Sequence, residues 1–129
     1  LNNQIQFVGD ATTEQSVPVE KIISLYQGAK AFLMTINQQE PFGLTLAEAG
    51  SCGTPVIGFD RGAVPEVILD GKTGFVVPYE KGVEGLKEAL SKIDSIKPQD
   101  CRDHIMNNFS VEKMVENYEI LYEGITAKV

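Results

Sequence analysis

The chain has 129 residues, of which 43% are hydrophobic and 22% are charged, and its 18 acidic against 11 basic residues give a net charge of −7. These proportions are typical of a single folded domain and exclude a disordered chain. The excess of acidic residues disfavours a sequence-independent nucleic-acid binder and a surface that docks on anionic lipid, because both need surplus cations.

The cysteine and histidine content excludes two further classes of protein. Two cysteines and one histidine are too few for a disulfide framework or a Cys/His zinc site. Cys52 lies among small and apolar residues, so we expect it to be a buried free thiol. The chain starts at Leu1 rather than Met and enters a strand-like segment at once, so we expect it to be part of a longer protein.

Short apolar runs alternate with helical patterns along the whole chain. The apolar runs predict strands at 5–8, 31–36, 56–59 and 75–77. Apolar spacings of three and four residues, together with capping and turn residues, predict the intervening helices. These helices are expected at 18–29, 43–51, 64–69, 83–93, 98–108 and 111–125, with Ser110 as the N-cap of the last one.

This alternation predicts an α/β fold, with a Rossmann-like parallel sheet that carries helices on both faces. We expect residues 1–129 to form a single domain, closed by helices at about 98–127. Four strands are fewer than the five or six that are usual in a doubly wound sheet. The count therefore suggests that further strands lie upstream in the parent protein.

The loop after the second predicted strand is the first place to look for a ligand site, since ligands bind beyond the carboxyl ends of such strands. There Phe42 and Gly43 lead into a helix N-terminus, whose free N–H groups and dipole suit a phosphate. Glu40 precedes this turn and Glu48 follows it, and each offers acceptors for hydroxyl donors. This layout fits a nucleoside diphosphate sugar, although a solvated loop carboxylate at Glu40 and an ordinary exposed Glu48 stay open.

The stretch EPFGLTLAE, from Glu40 to Glu48, resembles the E-x7-E motif of retaining glycosyltransferases of the GT-B fold, family 4, also called glycosyl transferases group 1. SCGTPVIGFDRGAVPEVILDGKTGFVVP at 51–78 and CRDHIMNNFSVEKMVENYEILY at 101–122 resemble the same family at matching offsets. The resemblance covers roughly residues 5–122 and implies the C-terminal, donor-binding domain. One departure is Gly50, where the family often has Met, and a glycine inside a helix costs about 1 kcal/mol relative to alanine.

The resemblance also implies roles for individual residues. Glu40, the candidate catalytic residue, would bind a hydroxyl of the donor sugar, and Glu48 would accept from the ribose hydroxyls. Backbone N–H groups of the intervening turn would contact the sugar and the distal phosphate, and they belong to Phe42, Gly43 and Leu44, with Thr45 close by. The next strand-end loop would line the same cleft, with Asp60, Arg61, Gly62 and Glu66. Arg61 would offset diphosphate charge, or is an ordinary surface arginine.

The implied parent protein is a metal-independent, retaining hexosyltransferase that transfers a hexose from a nucleoside diphosphate sugar to an acceptor hydroxyl. No D-x-D motif occurs, so we expect neither a metal nor another cofactor. The acceptor, a glycan, a lipid or a small molecule, would bind through an N-terminal domain outside this chain. We expect a cytoplasmic location and no nucleic-acid partner. We also expect no membrane segment in this chain, so that any membrane association would come from the part of the protein outside it.

Two points stay open in the sequence. The alternative function is a non-catalytic module that derives from the same fold and binds nucleotide sugar or another protein. The apolar stripe from Val111 to Ile125 has two possible contacts. It either packs on the domain's own sheet or, as the last helix of this fold commonly does, faces the N-terminal domain.

Overall fold

A sheet of three parallel strands forms the centre of the molecule. The computed structural model describes Gln6, Val8, Gly9 and residues 17–127. Within these residues the strands are β1 (Phe32–Met34), β2 (Val56–Phe59) and β3 (Gly74–Val77). They lie in the order β1-β2-β3, and both pairs are parallel. The predicted α/β fold with a parallel sheet is therefore confirmed.

Six α-helices connect and follow the strands in the described part of the chain. They are α1 (Val19–Gly28), α2 (Leu44–Ser51), α3 (Val64–Val67), α4 (Gly82–Ser91), α5 (Pro98–Asn108) and α6 (Val111–Thr126). Short 3-10 turns flank α4, at Tyr79–Lys81 and Ile93–Ser95. None of the helices in the described residues is long and apolar enough to cross a membrane.

Several predicted bounds agree closely with the structure. The strand at 56–59 and the helix at 98–108 have the predicted limits. The strand predicted at 31–36 shortens to three residues, and the helix predicted at 83–93 ends at Ser91. Of the strand predicted at 5–8, Ile5 and Phe7 lie outside the described residues, and Gln6 and Val8 belong to no strand.

Strand β2 is buried on both faces and divides the core into two apolar clusters. Its side chains alternate, so Val56 points to one cluster and Ile57 to the other. The first cluster contains side chains of α2, α3 and α5, among them Leu46, Ala49, Val67 and Ile105. The second contains Val77, Ala89, Ile93, Ile96 and Cys101. Helices therefore cover both faces of the sheet, as the continuous apolar run at 56–59 predicts.

The two outer edges of the sheet differ. At β3, the Val76 N–H donates to Asp70 Oδ1 at 2.9 Å, and the Gly74 carbonyl accepts from the Gly71 N–H at 2.8 Å. These bonds occupy groups that another strand would use. At the opposite edge, Leu33 of β1 is 46% exposed, and β1 has no outer strand partner among the described residues.

Helix α6 carries its apolar stripe into solvent. Ser110 caps it as predicted, because its Oγ accepts from the Lys113 N–H at 3.2 Å. No residue of α6 is buried, and Leu121 is 54% exposed. Of the two contacts that the sequence leaves open for this stripe, packing on the domain's own sheet is not found among the described residues. The geometry of α6 sends the stripe away from both clusters.

The buried thiol is Cys101, whereas Cys52, predicted to be buried, is only half-buried. Cys101 Sγ donates to the Thr73 carbonyl at 3.4 Å, which ties α5 to the start of β3. Burial, with a smaller effect from the charge of Asp100, raises the pKa of the Cys101 thiol to about 11. Cys52 is the C-cap residue of α2, at a half-buried helix end rather than inside either apolar cluster.

Close packing of α2 on α5 explains Gly50. A Cβ at Gly50 would lie 2.7 Å from Ile105 Cγ1, nearer than side-chain atoms normally approach. Both residues are buried, and Ile105 belongs to the first cluster, so the extra methyl has little room. The glycine that departs from the family pattern therefore permits this helix–helix contact.

We expect Gly50→Ala to destabilise the protein by about 1–3 kcal/mol, because overpacking outweighs the better helix propensity of alanine. Urea unfolding measures this loss. In an Ile105→Ala background the same substitution should cost less, since the side chain that it meets is gone. Gly124→Ala, which meets nothing within 4 Å, serves as the control and should not lower stability. Equal costs in both backgrounds would contradict the packing explanation.

Candidate functional site

The carboxylate of Glu40 caps the start of α2. Gly43 is the N-cap residue, with a φ of +85° that favours glycine. Glu40 Oε1 accepts from the Gly43 N–H at 2.8 Å and, at 3.4 Å, from the Phe42 N–H. A negative charge at this end of a helix is favourable. Two of the N–H groups that the sequence assigns to a ligand are thus already paired with Glu40.

The remaining groups at the start of α2 are available to a ligand. The Leu44 and Thr45 N–H groups contact no acceptor among the described residues, and the Leu44 side chain is 68% exposed. Glu40 Oε2 likewise contacts no donor in the part of the chain that the structure describes. At the carboxyl edge of the sheet, Glu40 Oε2 can therefore accept from a ligand, and the Leu44 and Thr45 N–H groups can donate to it.

The loop after β2 packs directly on the backbone of Glu40. The Ala63 N–H donates to the Glu40 carbonyl at 2.8 Å, and the Gly62 N–H donates to Gln39 Oε1 at 2.5 Å. A Cβ at Gly62 would overlap the backbone atoms of Glu40. The structure thus brings Gly62 and Glu40 together, as the sequence predicts for one cleft. Gln39 was not predicted, and only its position beside Glu40 in the loop could have drawn attention to it.

Arg61 is stacked on an aromatic ring at the ends of β2 and β3. Its guanidinium carbon lies 3.6 Å from the ring centroid of Tyr79, and its buried Nε has no hydrogen-bond partner among the described residues. Tyr79 in turn packs edge-to-face on Phe59, with ring centroids 5.3 Å apart. The arginine is therefore half-buried and fixed in place. The sequence signal for Tyr79 is an aromatic residue two positions after the fourth predicted strand, the one at 75–77.

A groove follows the carboxyl ends of all three strands. It has a volume of about 610 Å³, and Thr35, Asn37, Phe59 and Tyr79 are among its lining residues. These residues follow or end β1, β2 and β3, as the position of ligands in parallel sheets requires. Among the described residues, no group of three or more His, Cys, Asp or Glu side chains is arranged as metal ligands would be.

Glu48 lies on the exposed side of α2 and faces α1. It follows Thr45 by three residues, so both side chains share one face of the helix. The Tyr26 hydroxyl donates weakly to Glu48 Oε2 at 3.5 Å. Burial raises the pKa of the Tyr26 hydroxyl, and the charge of Glu48 raises it further. The structure thus places Glu48 beside Tyr26, a neighbour that sequence analysis did not identify.

The other predicted cleft residues lie on or next to the same loop. Asp60 is exposed, and its N–H donates to the Val77 carbonyl at 2.8 Å. Glu66 is exposed in the first turn of α3. Phe42 packs edge-to-face on Phe109, with centroids 6.2 Å apart, so its side chain supports the turn from outside.

Comparison with protein families gives one match that covers most of the chain. The family described as Glycosyl transferases group 1 matches residues 1–109. N-acetyl-alpha-D-glucosaminyl L-malate synthase of Bacillus anthracis is 35% identical over 98 residues, which are 72% of this chain and 26% of that protein. Alpha-maltose-1-phosphate synthase of Mycolicibacterium smegmatis is 36% identical over 85 residues, 62% of this chain and 22% of that protein.

Solved structures give the same result for the fold. Sucrose-phosphate synthase from Thermosynechococcus elongatus superposes with a TM-score of 0.61 at 26% identity, over 84% of this chain and 29% of that one. A glycosyltransferase from Rickettsia africae gives a TM-score of 0.56 at 24% identity, over 81% and 30%. The chain spans about a quarter of the length of the curated relatives it matches.

We expect Glu48→Gln to lower the pKa of Tyr26 toward its ordinary value of about 10, yet not fully, since burial is the larger cause. Ultraviolet titration measures the pKa, and Tyr26→Phe identifies the signal. A raised folded-state pKa contributes stability that is present below the ordinary value and is lost as pH rises through the folded one. As pH rises above the ordinary tyrosine pKa of about 10, stability should therefore fall less in Glu48→Gln than in the wild type.

Glu20→Gln, on the exposed first turn of α1, is the control for loss of a carboxylate. It should leave the Tyr26 titration unchanged. An unchanged titration in Glu48→Gln as well would contradict the contact between Tyr26 and Glu48.

Proposed function

Because this chain belongs to the glycosyl transferases group 1, we propose that it forms the donor-binding domain of a metal-independent, retaining glycosyltransferase. The enzyme transfers a hexose from a nucleoside diphosphate sugar to an acceptor hydroxyl. The acceptor, a glycan, a lipid or a small molecule, binds through a domain outside this chain, and the expected location is the cytoplasm. The main supporting observation is the start of α2, where a half-free carboxylate adjoins unpaired N–H groups.

Glu40 holds the donor sugar in this proposal. Its Oε1 is fixed by the Gly43 N–H, so Oε2 has a set direction from which to accept a sugar hydroxyl. A group whose orientation is fixed before binding loses little freedom when the substrate arrives. Glu40 thus positions the reacting sugar at the carboxyl edge of the sheet.

Positive charge for the leaving diphosphate comes from the protein itself. The Leu44 and Thr45 N–H groups and the dipole of α2 provide a partial positive charge for phosphate oxygens. Arg61, held against Tyr79, adds a full charge whose position needs little reorganisation. The Phe42 and Gly43 N–H groups join this set only if the Glu40 carboxylate turns away. The transition state is therefore stabilised without a metal ion.

Glu48 binds the ribose in the same scheme. It shares a helix face with Thr45 and is exposed, so its carboxylate is open to the 2′- and 3′-hydroxyls. The Tyr26 hydroxyl lies beside it and limits its freedom. Donor sugar and ribose are thus held at the two ends of the Glu40–Glu48 segment, with the diphosphate between them.

In the full-length protein, Glu40→Gln should weaken discrimination among donor sugars more than nucleotide binding, and Glu48→Gln should do the reverse. A hydrogen bond to a charged group contributes about 1.5–3 kcal/mol, so each change corresponds to about 10–100-fold. Calorimetry with UDP, GDP and ADP measures nucleotide affinity. The kcat/KM values for two donor sugars measure discrimination.

Glu84→Gln is the matched control, because Glu84 is an exposed carboxylate on α4 whose partner is Lys87. It should behave as the wild type. If Glu40→Gln and Glu48→Gln both left affinity and rate unchanged, the proposed site would be wrong. Nucleotide binding by a full-length protein without any turnover would favour a non-catalytic module instead.

The isolated 129 residues should show no transferase activity, because the acceptor site and further cations for the diphosphate lie outside them in the proposed enzyme. Release of nucleoside diphosphate from donor and acceptor measures turnover, and circular dichroism checks that the chain is folded. Turnover by the folded isolated chain would contradict the proposal that the acceptor site and the further cations lie outside these residues.

A further inference from the structure

We propose that Gly62 and Gln39 are positioning residues for Glu40, and that the loop after β2 fixes the backbone from which this carboxylate projects. The inference rests on the proposed function, since the position of Glu40 matters to the reaction only if Glu40 touches the donor. In this proposal, Gly62 and Gln39 affect the reaction only by fixing the position of Glu40.

Hydrogen bonds join the loop after β2 to the loop after β1 at two successive residues. The Gly62 N–H donates to the side-chain oxygen of Gln39, at 2.5 Å. The next N–H, of Ala63, donates to the main-chain carbonyl of Glu40, at 2.8 Å. Together these bonds fix both the main chain of Glu40 and the residue before it.

Only glycine permits this approach. A Cβ at position 62 would overlap the N, C and O atoms of Glu40, and none of these backbone atoms moves as a side chain would. The φ of Gly62 is +58°, a conformation that residues with a side chain rarely adopt. Any side chain at this position therefore strains the loop and pushes against Glu40.

The loop after β2 is the more rigid of the two partners. The Asp60 N–H is bound to Val77 of β3, and Ala63 and Val64 are buried at 7% and 1% exposure. On the other side, residues 35–39 are exposed. A methyl group at position 62 is therefore relieved by movement of Glu40 rather than of the core. Such a movement displaces the carboxylate from the Gly43 N–H and from the donor.

The test compares Gly62→Ala with Gly71→Ala in the full-length enzyme. Gly71 also has a positive φ, +72°, yet a Cβ there meets no described atom within 4 Å. Both variants therefore carry backbone strain, and Gly62→Ala, which adds the overlap with Glu40, should lose more Tm, so the rates are compared at a temperature where both variants are folded. Only Gly62→Ala should lower kcat/KM, by about 100-fold, as expected for a reacting group misplaced by about 1 Å. The Gly71→Ala value should stay within about twofold of the wild type.

A double-mutant cycle distinguishes a loss of activity that acts through Glu40 from a loss caused by a general disturbance of the fold. If Gly62 acts through Glu40, Gly62→Ala should cost less than about threefold in a Glu40→Gln background, where the carboxylate is already lost. If the fold-losses of kcat/KM in Gly62→Ala and Glu40→Gln multiplied fully in the double variant, the proposal would be overturned. An equal loss of activity in Gly71→Ala would overturn it as well.

Gln39→Ala keeps the proposal testable if Gly62→Ala does not fold. This variant removes the acceptor of the Gly62 N–H without adding an atom, and it should lower kcat/KM by about 3–10-fold with Tm nearly unchanged. Unchanged kinetics would contradict the role of Gln39. If Glu40→Gln is impaired while Gly62→Ala and Gln39→Ala are fully active, the positioning role fails and the proposed function stands. If Glu40→Gln is itself fully active, the proposed function fails.

Discussion

The contact between the loop after β2, at Gly62 and Ala63, and the backbone of Glu40 is the constraint on which the candidate site depends. One side of the contact is anchored in the core through β2 and the buried Val64. The other side carries the Glu40 carboxylate, which in turn caps α2 at Gly43. The direction of α2 and the availability of its N–H groups therefore follow from where β2 ends. A site that is built mainly of loop residues is thus tied to the central strand by hydrogen bonds.

The sequence predicts the fold class and many bounds because the signals for them are local. The apolar run at 56–59, the proline at the start of α5 and the capping hydroxyl of Ser110 each act within a few residues. The E-x7-E resemblance points to Glu40 and Glu48 as candidate site residues. The length of β1 is less predictable, because strand limits depend on pairing with a neighbour.

Contacts between distant segments are what the sequence does not specify. The bond between Gln39 and the Gly62 N–H requires β1 to lie beside β2, and the stack of Arg61 on Tyr79 requires β3 to lie on the other side of β2. A helical period likewise shows that α6 has an apolar face, without showing what the face contacts. Cys52 was wrongly expected in the core because small and apolar neighbours also occur at half-buried helix ends.

The bond from the Val76 N–H to Asp70 makes the sheet asymmetric. Among the described residues, a strand from elsewhere in the protein, or from a misfolded neighbour, finds unoccupied backbone partners along β1 rather than along β3. Addition of a strand to this sheet is thus directional, and Asp70, together with the Gly71–Gly74 bond, sets the direction. Replacing Asp70 would free the Val76 N–H and make pairing with another strand easier at the β3 edge.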